Sequence, residues 1–316
     1  MLGKKTLPII VFSLVVMLFI GLVGCTGETA APAENDVPMA DTVSDVQQIA
    51  LLTPENSPFF NTLQDGATEA ANRLNVELLT RDAGNDIATQ NAQIQEMIDL
   101  GVNAILITAV DGTAVVEKIE AAAAAGIAVL TVDRSIDSDV VISHIASDNV
   151  AGGKMAGDYL AEVLEKQGSV VELEGIEGTS AAQDRGAGFN EAIAAYADIT
   201  VIAREIADFS RAEGQTVFAQ ILADNPDIDG VFAHNDEMIL GAILAAQEAG
   251  RAGEITFIGF DAVDDAVAAL EDGSLTATIA QQPAEMGRLG IENAVKQLQG
   301  ETVPETIAVD LAMITR

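Results

Sequence analysis

From residue 48 onward, apolar and polar positions alternate in blocks with little interruption. Apolar runs of four to six residues occupy 48–52, 76–79, 104–107, 128–132, 140–145, 170–173, 199–202, 230–233, 256–260 and 277–280. Most are separated by 10 to 18 residues of helical period; within 88–100 the apolar positions are Ala92, Ile94, Met97, Ile98 and Leu100. Unbroken apolar strands alternating with amphipathic helices predict α/β architecture, with parallel sheets covered on both faces.

Some ten strands suffice for one barrel or for two open sheets. The short run at 140–145 breaks the rhythm, and Asn149 begins a long helix rich in small residues (AGGKMAGDYLAEVLEK). Two sheets are therefore expected, the first lobe starting at about residue 48 and the second at about 148.

The N-terminus adds a cellular address. Lys4 and Lys5 precede an almost unbroken apolar run over 7–24, which closes on Leu22-Val23-Gly24-Cys25. A basic start, an apolar stretch and small residues before a cut describe a secretory signal. Its ending resembles the lipobox of bacterial lipoproteins, which implies lipidation at Cys25; an uncleaved signal anchor is the alternative. Cys25 is the only cysteine, so no internal disulfide can form. Residues 26–47 are rich in Ala, Pro, Thr and acid and lack an apolar period, as a flexible tether would. The remaining length, about 270 residues, suits two domains of ordinary size.

The formal charge is −34; without Lys4 and Lys5 it is −36, from 13 basic and 49 acidic residues. Such a surface repels nucleic acid and anionic lipid headgroups, so neither is expected as a partner.

Ligands of open α/β sheets sit outside the carboxyl ends of the strands. The residues just past the apolar runs are Thr53, Thr108, the adjacent pair Asp133-Arg134, Asn235, Asp261 and Gln281, nearly all hydrogen-bonding groups. Aromatics are only 4% of the chain and Trp is absent, so each Phe position is informative. Of eight Phe outside the signal, Phe59, Phe60, Phe209 and Phe260 fall at or just past strand tips. Planar apolar faces with convergent donors and acceptors describe a small-molecule pocket, and a sugar ring suits it. Its C–H faces pack on rings while its hydroxyls need both donors and acceptors. The candidate charges balance, Asp133 and Asp261 against Arg134 and Arg185. Since buried charges need partners, this favours a neutral polyol over an anion or an amine.

Taken together, the segments PFF at 58–60, VDR at 132–134, SHIASDN at 143–149, EGTSAAQDRGAGF at 177–189, ADF at 207–209, HNDEMILGA at 234–242, GFD at 259–261, ATIAQQP at 277–283 and VDL at 309–311 resemble the ribose-binding proteins of bacterial sugar ABC transporters, in the type I periplasmic-binding-protein family. The likeness runs from about Ile49 to the C-terminus. It implies two Rossmann-like lobes joined by three crossovers, near 147–148, 281–282 and 309–311, with a helix over 284–299 returning to lobe 1. Lobe 1 would then comprise 48–147 with 282–310, and lobe 2 148–281 with 311–316, after a signal (1–25) and a tether (26–47).

Residue by residue, the resemblance implies that Phe59 and Phe60 stack on the ring and that Phe209 and Phe260 face them from the other lobe. Asp133, Arg134, Arg185, Asn235, Asp261 and Gln281 match its hydroxyl-binding set. Ser57 and Thr108 stand where ribose binders carry Asn, and Thr53 stands for a Ser, so monosaccharide is implied more firmly than ribose. The implied mechanism is hinge closure around the sugar, the closed form being recognised by an ABC-type permease. No cofactor, metal or catalytic residue is expected, and the protein is expected to act as a monomer outside the cytoplasm, lipid-anchored to the membrane.

Other motifs carry less. The glycines of AGGKMAG at 151–157 lack phosphate-loop spacing and suit close helix packing. Thr179 or Ser180 suits an N-cap better than an anion cradle. His144 and His234, the only histidines, lack companion metal ligands. An enzyme is a rival class, but no nucleophile accompanies the acids. A sensing component that presents sugar to a chemotaxis or kinase sensor is a second rival. A DNA-binding repressor, the third, would need a helix-turn-helix where the signal stands.

Overall fold

The computed structural model describes residues 46–316. The signal, Cys25 and all but the last two residues of the tether lie outside the described residues. The chain runs β1 (Gln48–Thr53), α1 (Pro58–Leu74), β2 (Glu77–Asp82), α2 (Ile87–Leu100), β3 (Ala104–Ile107), α3 (Val116–Ala124), β4 (Ala128–Val132), β5 (Ser143–Ser147), α4 (Asn149–Val163), β6 (Gln167–Glu174) and α5 (Ser180–Ile193). It continues through β7 (Asp198–Ile206), α6 (Arg211–Asp224), β8 (Gly230–Ala233), α7 (Asp236–Glu248), β9 (Thr256–Asp261), α8 (Asp264–Asp272), β10 (Ala277–Ala280), α9 (Pro283–Leu298), β11 (Thr306–Val309) and β12 (Ala312–Thr315).

These strands form two six-stranded sheets, ordered β11-β5-β4-β3-β1-β2 and β12-β10-β9-β8-β6-β7. The first is parallel throughout. The second departs from the all-parallel expectation at one edge, where β12 runs antiparallel to β10. The chain passes between the sheets three times: after β5, after β10, and between β11 and β12.

The continuous apolar strands follow from burial on both faces. In β1, Ile49 and Leu51 join a core with Leu63 of α1 and Ile291 of α9. Ala50 and Leu52 join the opposite core with Met97 of α2 and Ile119 of α3. Each such fully buried Leu or Ile stabilises the fold by roughly 1.5–3 kcal/mol. The second sheet repeats the arrangement: Val231 of β8 faces one core and Phe232 the other.

Three local differences from the pattern reading have physical causes. Val140 and Val141 lie in a turn and only pack against the core, so β5 starts at Ser143. β2 and β7 are longer than their apolar runs because they are sheet edges, where charged residues such as Arg81 and Arg204 can point to water. β11 and β12, four residues each, are too short to stand out from a polar C-terminal stretch. The glycine-rich stretch after Asn149 lies inside α4, which packs along α5. A Cβ at Gly153 would overlap the backbone carbonyl of Arg185. The small residues thus let α5 approach closely and set where Arg185 sits.

Candidate functional site

The carboxyl ends of both sheets open onto one small cavity between the lobes. Ser57, Phe59, Phe60, Asp133 and Arg134 line it from the first lobe. Arg185, Phe209, Asn235, Asp261 and Gln281 line it from the second. Strand-tip reasoning missed two lining residues, Ala181 on α5 of the second lobe and Glu55 of the first.

On the first lobe, Asp133 and Arg134 reach the cavity through a tight turn. The Arg134 N–H donates to the Val132 carbonyl at 2.8 Å across Asp133, whose φ is +65°. This is a γ-turn of the rare, strained kind. It places two adjacent side chains at one strand end. Both are buried, and Arg134 Nε lies 3.8 Å from Asp133 Oδ2, beyond hydrogen-bond reach. Its guanidinium makes one long bond, 3.5 Å to the Ala109 carbonyl, and lies over the rings of Phe209 at 5.1 Å and Phe60 at 5.6 Å. Arg134 Nε has no hydrogen-bond partner among the described residues. Burial pulls the Arg134 guanidinium below its usual range, and the opposing charge of Asp133 offsets part of this. Burial pushes the Asp133 carboxyl up, against Arg134 and Arg185. Phe59 and Phe60, on the first turn of α1, meet edge to face at 5.1 Å.

The second lobe is more tightly tied. Arg185 Nε donates to Asn149 Oδ1 at 2.8 Å and Nη1 to the His234 carbonyl at 2.6 Å. Its guanidinium stacks on Phe260 at 3.9 Å and lies 3.8 Å from Asp261. His234 is itself anchored: its Nδ1 accepts from the Gly175 N–H at 3.3 Å, which directs Nε2–H to the buried Glu172 at 3.0 Å. Gln281 Nε2 donates to Asp261 Oδ1 at 2.7 Å, while Gln281 Oε1 has no partner among the described residues. Burial raises the Asp261 carboxyl to about 7, with Arg185 and Gln281 pulling against it. Phe209 is seated on the bare backbone of Gly175, where a Cβ would fall within its ring. Asp261 has φ +117° and Phe209 φ +55°. Each such non-glycine conformation costs on the order of 1–3 kcal/mol, and such residues cluster where side chains must be aimed.

Three expected residues do not line the cavity. Phe260 is fully buried beneath the Arg185 guanidinium, which it supports from behind. The hydroxyls of Thr53 and Thr108 do not line the cavity: they donate to the carbonyls of Arg81 at 3.3 Å and Val132 at 2.7 Å on neighbouring strands. Three lining residues also have structural duties. Ser57 caps α1, its Oγ accepting from the Phe60 N–H at 3.4 Å. Asn235 caps α7 through its Oδ1 and donates to the Phe209 carbonyl at 3.3 Å. Gln281 braces Asp261. Thr179 caps α5, in keeping with the N-cap reading. Across the cleft, the Ser135 N–H donates to Ser180 Oγ at 2.9 Å. Among the described residues no group of three or more His, Cys, Asp or Glu could hold a metal ion.

Comparison with known proteins agrees with this geometry. The periplasmic binding protein domain family matches residues 49–302. The ribose import binding protein RbsB of Escherichia coli (strain K12) is 44% identical over 261 residues, 83% of this chain and 88% of that protein. A periplasmic solute-binding protein of an ABC transporter from Actinobacillus succinogenes 130z, solved with bound D-allose, superposes with a TM-score of 0.81 at 30% identity, over 85% of this chain and 97% of that one. A fructose-binding periplasmic domain of a hybrid two-component system superposes at 0.83 and 30% identity, covering 85% and 91%.

Proposed function

The chain belongs to the periplasmic binding protein domain family, and on that footing we propose that it captures a neutral monosaccharide, ribose or a related pentose or hexose. It is a solute-binding protein rather than an enzyme, like the binding proteins it resembles. The observation that carries the sugar reading is the cavity itself. One carboxylate–guanidinium pair from each lobe converges there with three Phe rings, Phe59, Phe60 and Phe209. Glu55 changes the count from two acids against two bases to three against two. Burial raises the Asp261 carboxyl to about 7, so it holds part of its proton, the net charge stays near zero and a neutral polyol remains the fitting ligand. Thirteen residues were named from the strand tips and the resemblance. Phe59, Phe60 and Phe209 would pack on the sugar's faces with Phe260 backing Arg185 from behind, and Asp133, Arg134, Arg185, Asn235, Asp261 and Gln281 would bond its hydroxyls. Ser57 would act at the rim, and Thr53 and Thr108 indirectly through the strands that carry the site.

In this reading residues 48–147 with 282–310 and residues 148–281 with 311–316 swing as two bodies about the three crossovers, closing on the sugar and excluding water. The protein works outside the cytoplasm as a monomer, anchored through a lipid on Cys25, and delivers the sugar to an ABC-type permease. The RbsB likeness supports import. The likeness to the hybrid two-component domain favours a second reading, presentation of the sugar to a sensor.

A thermal-shift panel of monosaccharides on the purified chain, followed by calorimetry, tests the sugar reading. A neutral pentose or hexose should stabilise the protein and remain unconsumed, and solution scattering should record a contraction. Stabilisation by sugar acids or phosphates alone would overturn it. Loss of labelled-sugar uptake on deleting the gene fits import; unchanged uptake with a lost behavioural response fits sensing.

A further inference from the structure

Hydrogen-bond supply on the first lobe points to a residue that neither strand tips nor the family resemblance names. A sugar hydroxyl needs an acceptor for its proton. The Thr53 and Thr108 hydroxyls are turned to backbone carbonyls away from the cavity, and Ser57 Oγ already accepts from Phe60. Besides the helix-capping Ser57, the side-chain acceptors lining the cavity from this lobe are then two carboxylates, Asp133 and Glu55. Glu55 follows Pro54 in the loop after β1 and is held from behind. Asn85, in the left-handed conformation with φ +56°, donates from Nδ2 to Glu55 Oε2 at 2.6 Å. The Asn85 N–H donates to the Pro54 carbonyl at 2.6 Å, so side chain and backbone brace the loop together. One carboxylate oxygen is thus fixed while Glu55 lines the cavity beside Arg134, whose charge acts on it. The buried Nε of Arg134, without a partner among the described residues, is an independent sign that this wall is built for a ligand.

We propose that Glu55 is a specificity-determining residue of the sugar site, accepting a hydrogen bond from one hydroxyl of a ribose-sized ring. It supplies on the first lobe the contact that Ser57 and Thr108 do not make. A carboxylate there demands a donor, so it selects for a hydroxyl at that carbon and against a deoxy carbon or a ligand carboxylate. The proposal rests on the monosaccharide reading above.

Calorimetry of the unsubstituted chain, Glu55→Gln and Glu55→Ala with D-ribose, its monodeoxy analogues and D-ribonate tests it, with the melting temperature of each free protein as a control for folding. Glu55→Ala should weaken D-ribose at least tenfold, the least expected for a hydrogen bond to a charged group. It should change the affinity of one particular monodeoxy analogue by less than twofold. Glu55→Gln, which keeps the bond to Asn85, should fall between and should relieve discrimination against D-ribonate. Unchanged D-ribose affinity in Glu55→Ala, or an equal loss for every analogue, overturns the role of Glu55 and leaves the sugar reading intact. No D-ribose binding by the unsubstituted chain overturns the role of Glu55 at a ribose-sized ring, and no binding of any neutral monosaccharide overturns both.

Discussion

The two walls of the cavity carry similar chemistry and differ in how completely it is satisfied. On the second lobe, Arg185 is bonded at Nε and Nη1, stacked on Phe260 and backed by the anchored His234. On the first lobe, Arg134 has one long bond, a loose ion pair and an unpartnered Nε. The second lobe is a preorganised platform. The first has buried a charge whose best partner is a ligand. A buried guanidinium that lacks hydrogen bonds destabilises the free protein, and a hydroxyl that completes it gains what the free protein forgoes.

The largest expected effect tests the platform. Arg185→Ala should weaken sugar binding roughly a hundred- to a thousandfold, as expected for truncating a buried, hydrogen-bonded charge. The circular dichroism spectrum should stay native. Unaltered affinity by calorimetry would remove Arg185 from the site.

The contrast itself is tested by an apolar replacement on each lobe. Arg134→Met should weaken sugar binding roughly tenfold or more yet raise the stability of the free protein by about 1–3 kcal/mol, since it replaces a poorly paired buried charge. Arg185→Met should instead lower stability, by about 3 kcal/mol, because it orphans Asn149 and the His234 carbonyl. Urea denaturation of both variants decides; equal signs would erase the difference between the lobes.

A third test uses pH. The folded Asp261 carboxyl is raised to about 7, above its ordinary 3.8, so the folded state holds a proton that the unfolded chain has lost. Stability of the free protein is therefore highest below about pH 4 as far as Asp261 is concerned. It is lost as pH rises through about 7, by on the order of a few kcal/mol. Asp261→Asn should flatten that slope, as followed by urea midpoints at pH 5 and pH 8.

The smallest effect is expected at Thr108→Val. Its hydroxyl bonds the Val132 carbonyl and does not line the cavity. Sugar affinity should change less than about threefold, with a stability loss of about 1 kcal/mol. A tenfold loss of affinity would return Thr108 to the ligand set.

Much of the fold was legible because its causes are local. A strand buried on both faces needs an unbroken apolar run, and the helix between runs needs one apolar stripe. Strand tips then located Asp133, Arg134, Asp261 and Gln281 beside the cavity, since ligand sites of open sheets lie at those ends. The same rule placed Thr53 and Thr108 wrongly, because a strand tip fixes the backbone and not the partner of a hydroxyl. With a carbonyl of the adjacent strand in reach, Thr108 turned to it. Glu55 was missed because it lies in a loop two residues past β1, where no apolar run marks it. Asn149 and the His234 carbonyl were missed as the holders of Arg185 because they lie 36 and 49 positions away.

The chain's own order of residues thus determined that there are apolar parallel strands with polar tips and which charges stand there. Only the tertiary structure decided which of those groups face the cavity, which are consumed by the backbone, and that one arginine is locked while the other waits. Hydrogen bonds are made to whatever donor or acceptor is nearest in space. Nearness in space between residues tens of positions apart is fixed by the packing of whole elements, such as α4 against α5, and no local pattern records it.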